Sequence, residues 1–178
     1  MNITALSGDM IELAAQMDCV VNPANRELTH GGTLSGLIFD AAGSEALEFD
    51  LSGVLSTAAG SAVLTEGYSL CRFIIHTLAP KYRADEDWTN PLRHCYRSCL
   101  EIARVQPSIR SIAIPALGTG AHSLPFKEAD KIAAESCLSY AKTFPCDLEV
   151  TLCFAPGAEE RAQAMNDMLT NEEQETEE

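Results

Sequence analysis

The sequence predicts an α/β fold, a three-layer α/β/α sandwich around a mixed, mostly parallel sheet of about six strands. Three observations carry this. Short apolar runs alternate with longer segments whose apolar residues recur at helical spacing. The run from Ile109 to Ala116 is apolar almost throughout, as in a strand covered on both faces. Two glycine-rich stretches, Gly31-Gly32 and Gly118-Thr119-Gly120, each follow such a run and precede a helical pattern.

In chain order, Ile3, Ala5 and Leu6 predict a first strand, broken by Gly8-Asp9, and Met10 to Met17 a short helical or irregular segment. Asp9 has two uses there: as an N-cap for the turn Met10 to Leu13, or, one residue past a strand, as acceptor for the exocyclic amine of a base. Cys19, Val20 and Val21 end a buried strand, which Asn22-Pro23-Ala24-Asn25 stops with turn chemistry. Leu37, Ile38, Ala41 and Ala42 then mark one face of a helix opened by Gly31-Gly32. Ser44 is expected to cap the next helix, with Leu47, Leu51, Val54 and Leu55 on its apolar side.

Ala62 to Thr65 and Arg72 to Ala79 predict two strands joined at a tight Glu66-Gly67 turn, an antiparallel hairpin. His76 lies mid-strand among apolar residues and is expected to be a core histidine bonded to backbone. A polar connection, Lys81 to Asn90, holds Trp88 and leads to Pro91 in the first turn of a helix that buries Leu92, Cys95, Tyr96, Cys99, Ile102 and Ala103. Pro107 closes it before the central strand. Phe126 to Tyr140 reads as an amphipathic helix, Leu148 to Phe154 as a strand, and Glu159 to Leu169 as a last helix.

Residues 1–170 are expected to form one domain, followed by an acidic, disordered tail over 171–178. The formal net charge of −14 excludes a nucleic acid polymer as partner, since such binding draws on lysine and arginine. No run of eighteen apolar residues marks a membrane span, and the first ten residues lack signal-peptide character, so the chain reads as cytoplasmic; a monomer is expected as well. Seven scattered cysteines read as small core hydrophobes. Cys95 and Cys99, beside His94, have no second ligand pair at metal spacing, so neither metal nor cofactor is expected.

The functional reading starts from the glycine loops. A loop feeding a helix N-terminus offers free amides and a favourable dipole to an anion. Two such loops at the carboxyl edge of one sheet make a crevice that fits a pyrophosphate. Neither loop holds lysine or arginine, and no GxxxxGK[ST] or GxGxxG pattern is present. An acidic chain of this kind would have to bind a diphosphate through backbone N–H groups.

Several motifs in register resemble the macro domain family. They are Gly8-Asp9, Val20-Val21-Asn22-Pro23-Ala24-Asn25, His30-Gly31-Gly32 opening a helix that ends Ala41-Ala42-Gly43, Ala62 to Thr65, Ile75 to Pro80, and Ile114-Pro115-Ala116-Leu117-Gly118-Thr119-Gly120. The resemblance covers about residues 1 to 170 and implies an ADP-ribose site. It implies that Asp9, beside Met10, bonds the adenine amino group and that Phe154 stacks on the adenine. Gly32, Thr33, Leu34 and Ser35 on one side, and Gly118, Thr119, Gly120, Ala121 and His122 on the other, would cradle the pyrophosphate. Asn25 would bond the distal ribose and orient catalysis, with Asn22 shaping the turn beneath it.

Ser35 stands where hydrolytic members carry an aspartate, and a serine is no carboxylate base. Thr33 replaces a glycine close to the ligand, His122 an aromatic residue beside the distal ribose, and Pro23 an alanine. The resemblance implies hydrolysis of ADP-ribose esters on proteins, or deacetylation of O-acetyl-ADP-ribose, with a substrate phosphate assisting a water. Its alternatives are a non-catalytic ADP-ribose reader and a macro fold with a different or lost ligand.

Overall fold

The computed structural model describes residues 1–54, 58–83 and 87–175. Their elements run β1 (Asn2–Ser7), α1 (Met10–Ala14), β2 (Cys19–Pro23), α2 (Thr33–Ala42), α3 (Ser44–Leu51), β3 (Ala62–Glu66), β4 (Phe73–Thr77), α4 (Thr89–Val105), β5 (Ser111–Pro115), α5 (Phe126–Thr143), β6 (Glu149–Phe154) and α6 (Glu159–Glu175). The strands form one mixed sheet in the order β1-β6-β5-β2-β4-β3. Every pairing is parallel except that of β3 with β4.

Alternation along the strands makes the two cores. Val20, Ile74, Ala113 and Cys153 point to the layer of α1, α2 and α3. Cys19, Val21, Ile75, Ile112, Ile114 and Leu152 point to the layer of α4, α5 and α6. Side chains of period two thus fill both faces, which is why the central strands are apolar throughout. Five of the cysteines are buried packing residues. Burial pushes the Cys95 thiol up to about 11 and Cys137 to about 12, so both stay protonated.

Several local expectations change. Gly43, with φ 115, precedes α3 and no side chain caps it; Ser44 is the first helical residue, its hydroxyl reaching back to Asp40. That helix stops at Leu51, so Val54 is partly exposed and Leu55 lies outside the described residues. The face that α2 buries is Ser35, Ile38, Phe39 and Ala42, and Leu37 is half exposed. The hairpin connection spans residues 67–72 rather than a tight turn, closed where Gly67 N donates to Arg72 O. Pro91 lies in the first turn of α4, but the start is fixed by Asp87, whose carboxylate accepts from the Thr89 and Asn90 amides. No glycine or proline interrupts the chain after Leu169, and α6 continues to Glu175, into the acidic stretch; residues 176–178 lie outside the described residues.

Candidate functional site

All five parallel strands end at one edge of the sheet, at Ser7, Phe154, Pro115, Pro23 and Thr77. The middle of that edge is a switch point. Neighbouring strands β2 and β5 send their following helices to opposite faces, α2 into one core and α5 into the other. The two glycine-rich connections therefore leave adjacent strands and diverge, which opens a crevice between them.

On the β2 side, Gly32 takes φ 64 and ψ 169, a conformation that L side chains avoid, and turns the chain into α2 without a side-chain cap. The first backbone bond is Gly36 N to Gly32 O, which leaves the amides of Thr33, Leu34 and Ser35 without an intrahelical acceptor. Ser35 is buried and its Oγ has no partner; the same holds for Asn22 Oδ1 at the end of β2. Asn22 gives its Nδ2 to His76 Nδ1 at 3.0 Å rather than to the turn. His76 is a buried core histidine, yet both its nitrogens meet side chains, Asn22 and Thr65, not backbone. Asn25 is half-buried and turned onto Thr29, with Oδ1 accepting from Thr29 N and Nδ2 donating to Thr29 O, both at 3.0 Å.

On the β5 side, Gly118 takes φ 77, and a Cβ there would lie 2.3 Å from Leu124 Cδ1. Leu124 N donates to Gly118 O and Ser123 N to Gly120 O, closing the loop on itself, while Gly120 and Ala121 stay exposed. His122 Nδ1 meets Ala79 O at 2.8 Å, which ties this loop to the segment after β4. Thr119 Oγ1 donates to Ala116 O and accepts from Arg161. Sequence reasoning missed that arginine, since it comes from the first turn of α6, 42 residues away, inside a polar Glu-Glu-Arg run that reads as a solvated face. The absence of any cation from both loops was the available reason to look for one elsewhere.

At the far end of the edge, Asp9 is the N-cap of α1, the first of its two expected uses. Its Oδ1 caps α1, accepting from Ile11 N at 2.7 Å, while the residue stays exposed with Oδ2 uncommitted to the cap. Met10, the first residue of α1, is buried beneath it. Phe154 is 2% exposed, and the Arg161 guanidinium lies 4.8 Å from its ring centroid. The ring expected to receive a base is covered. Among the described residues no three His, Cys, Asp or Glu side chains gather as metal ligands. A groove of about 430 Å³ lies along the β3 edge, lined by Asp50, Leu51, Val63, Glu66 and Gln106, and includes none of these residues.

A parallel-rich mixed sheet between two helical layers, with paired glycine turns at its switch point, is the macro domain fold. The macro domain family model matches residues 21–133. A macro domain-containing protein of Mesorhizobium japonicum is 40% identical over 129 residues, covering 71% of each chain. One from Methanosarcina mazei is 38% identical over 133 residues, 74% of this chain and 69% of its own. The chain belongs to the macro domain family. Among solved structures it is similar to the Oceanobacillus iheyensis macrodomain with ADP, at TM-score 0.80 and 28% identity, covering 97% of this chain and 91% of that one. It is also similar to the Trypanosoma brucei macrodomain in complex with ADP-ribose, at TM-score 0.76 and 28% identity, covering 93% of this chain and 68% of that one. No described helix is long and apolar enough to cross a membrane.

Proposed function

We infer that the crevice between the β2–α2 and β5–α5 connections binds ADP-ribose, free or attached to a protein or metabolite, and that the chain hydrolyses ADP-ribose esters as a monomer. One observation carries the reading. The uncapped N-terminus of α2 and the buried, unpartnered Ser35 Oγ and Asn22 Oδ1 lie at the switch point of the sheet, so amides and polar atoms there lack the partners that buried groups require. A diphosphate oxygen accepts from the α2 amides and from the Ser35 hydroxyl, while Asn22 Oδ1, itself an acceptor, takes a donor such as a ribose hydroxyl. The similar structures with ADP and with ADP-ribose support the choice of anion.

In this reading the α2 amides and the Gly118 to His122 turn hold the diphosphate, and the base lies over the ends of β1 and β6, beside Asp9, with the Phe154 ring beneath the Arg161 guanidinium. Asn25 orients the distal ribose once its amide leaves Thr29. Water between Asn25 and the diphosphate attacks the ester; a phosphate oxygen takes its proton, the ester C–O bond breaks, and the departing oxygen is protonated, giving an acid and an alcohol. Ser35 offers no carboxylate base, so the substrate itself assists. That same hydroxyl favours the second reading, an ADP-ribose reader without turnover.

Titration calorimetry with ADP-ribose tests the site, and saturable heat is expected. No heat at millimolar ligand overturns both readings. A protein mono-ADP-ribosylated on glutamate is expected to lose its label on incubation; binding with unchanged label leaves the reader alone.

A further inference from the structure

Arg161 is held by several contacts at once, and they lie at the crevice. Its Nε donates to Asp130 Oδ2 and its Nη2 to Asp130 Oδ1, both at 2.6 Å, a bidentate fork. Asp130 is itself buried, its side chain 9% exposed. Nη2 also donates to Thr119 Oγ1 at 3.2 Å. Thr119 Oγ1 then donates to Ala116 O, so the fork on α5 and α6 fixes the turn that follows β5. The guanidinium meanwhile lies 4.8 Å from the Phe154 ring centroid and 5.2 Å from that of Phe126.

One side chain thus does two opposed things. It holds the turn that would receive a diphosphate, and it covers the ring that would receive a base. We propose that Arg161 is a specificity-determining positioning residue, pinning the Thr119 turn while covering Phe154, so that recognition in this cleft rests on the diphosphate more than on the base. The inference rests on the ADP-ribose reading above and deepens it. The planar fork is what the geometry needs. A lysine ammonium keeps the charge but cannot bond both oxygens of Asp130 and Thr119 in one plane.

Calorimetric titration of the full chain with ADP and with AMP tests it, the ratio of the two affinities being the readout. The wild-type protein is expected to prefer ADP. In Arg161→Met the preference is expected to fall by about tenfold, as for loss of a charge-assisted contact, with AMP affinity held or raised because the ring is uncovered. Arg161→Lys and Asp130→Asn are expected to show the same loss, and they carry the test where the Met variant does not fold. A ratio unchanged in these variants, or restored by lysine, overturns the inference while leaving the ADP-ribose site in place. A wild-type protein that binds neither ADP nor ADP-ribose overturns the site itself.

Discussion

Asn22 and His76 face each other in register on the neighbouring parallel strands β2 and β4, with Asn22 Nδ2 3.0 Å from His76 Nδ1. Since an amide NH2 only donates, Nδ1 accepts and the proton sits on Nε2, which gives it to Thr65 Oγ1 at 2.9 Å. The arrangement spends the amide nitrogen of Asn22 inside the sheet and leaves Oδ1 as its unpartnered end. A neutral histidine deep in the sheet therefore orients a polar atom at the switch point.

That histidine makes stability depend on pH. Burial lowers its pKa to about 4, against 6.5 when unfolded. Between those values the unfolded chain binds a proton that the folded chain refuses. Stability therefore falls as pH drops through this window, by on the order of 3 kcal/mol from this group, and the contribution levels off below about pH 4. Urea unfolding across the window is expected to show this slope, and His76→Gln to flatten it. An equal slope in the variant would remove His76 as the cause.

Ser35→Ala separates stability from function. Ser35 is 4% exposed and its buried hydroxyl is unpartnered, so removing it is expected to leave the free protein as stable as before, or more stable by about 1 kcal/mol. Affinity for ADP-ribose is expected to fall about three- to tenfold, the loss of one hydrogen bond. Thermal unfolding with and without ligand reads both quantities. A variant that loses stability but not affinity would place Ser35 in the core alone.

Much of this site was legible because its elements are local. Glycine at residues 31, 32, 118 and 120 marks turns by its own chemistry, and the alternation of strands and helices puts both turns at one edge. The partners of those turns were not legible. Pairing Asn22 with His76 requires the register of two strands 54 residues apart, and Arg161 acquires its role only when α6 packs beside α5. Phe154 was placed correctly at the end of β6, but its cover comes from the next element and not from its own strand. The cap of α3 was misread for a related reason. Ser44 has the right chemistry, but the unusual backbone at Gly43 ends one helix and starts the next, so the serine falls inside.

Asn25→Ala tests the residue on which the proposed hydrolysis would turn. Its amide closes residues 25–29 through bonds to Thr29, so truncation is expected to cost about 1 kcal/mol of stability. If the same amide also orients the distal ribose, label release slows by at least about tenfold, more than the stability loss explains. Rates measured on a glutamate-linked ADP-ribose substrate, beside unfolding curves, make the comparison. Normal release from a destabilised variant would leave Asn25 a loop brace only.

The two crevice glycines are expected to fail differently on alanine substitution. Both have positive φ, 64 for Gly32 and 77 for Gly118, so each Ala variant bears backbone strain of about 1 to 3 kcal/mol. At Gly32 nothing lies within 4 Å of the new methyl group, and the strain is the whole cost. At Gly118 the methyl group meets Leu124 Cδ1 at 2.3 Å, so a buried leucine must also move, adding about 1 to 3 kcal/mol. Gly118→Ala is therefore expected to unfold earlier than Gly32→Ala, although Gly32 is the more exposed of the two. Binding is expected to reverse the order. The Gly32 methyl group projects into open space at the mouth of α2, where the proposed diphosphate would approach the backbone, so Gly32→Ala is expected to lose ADP-ribose affinity with little further loss of stability. Unfolding curves and calorimetry on the pair distinguish a ligand-facing turn from a packing turn, and equal affinity loss at both would show that the β5–α5 connection approaches the ligand as closely as the start of α2 does.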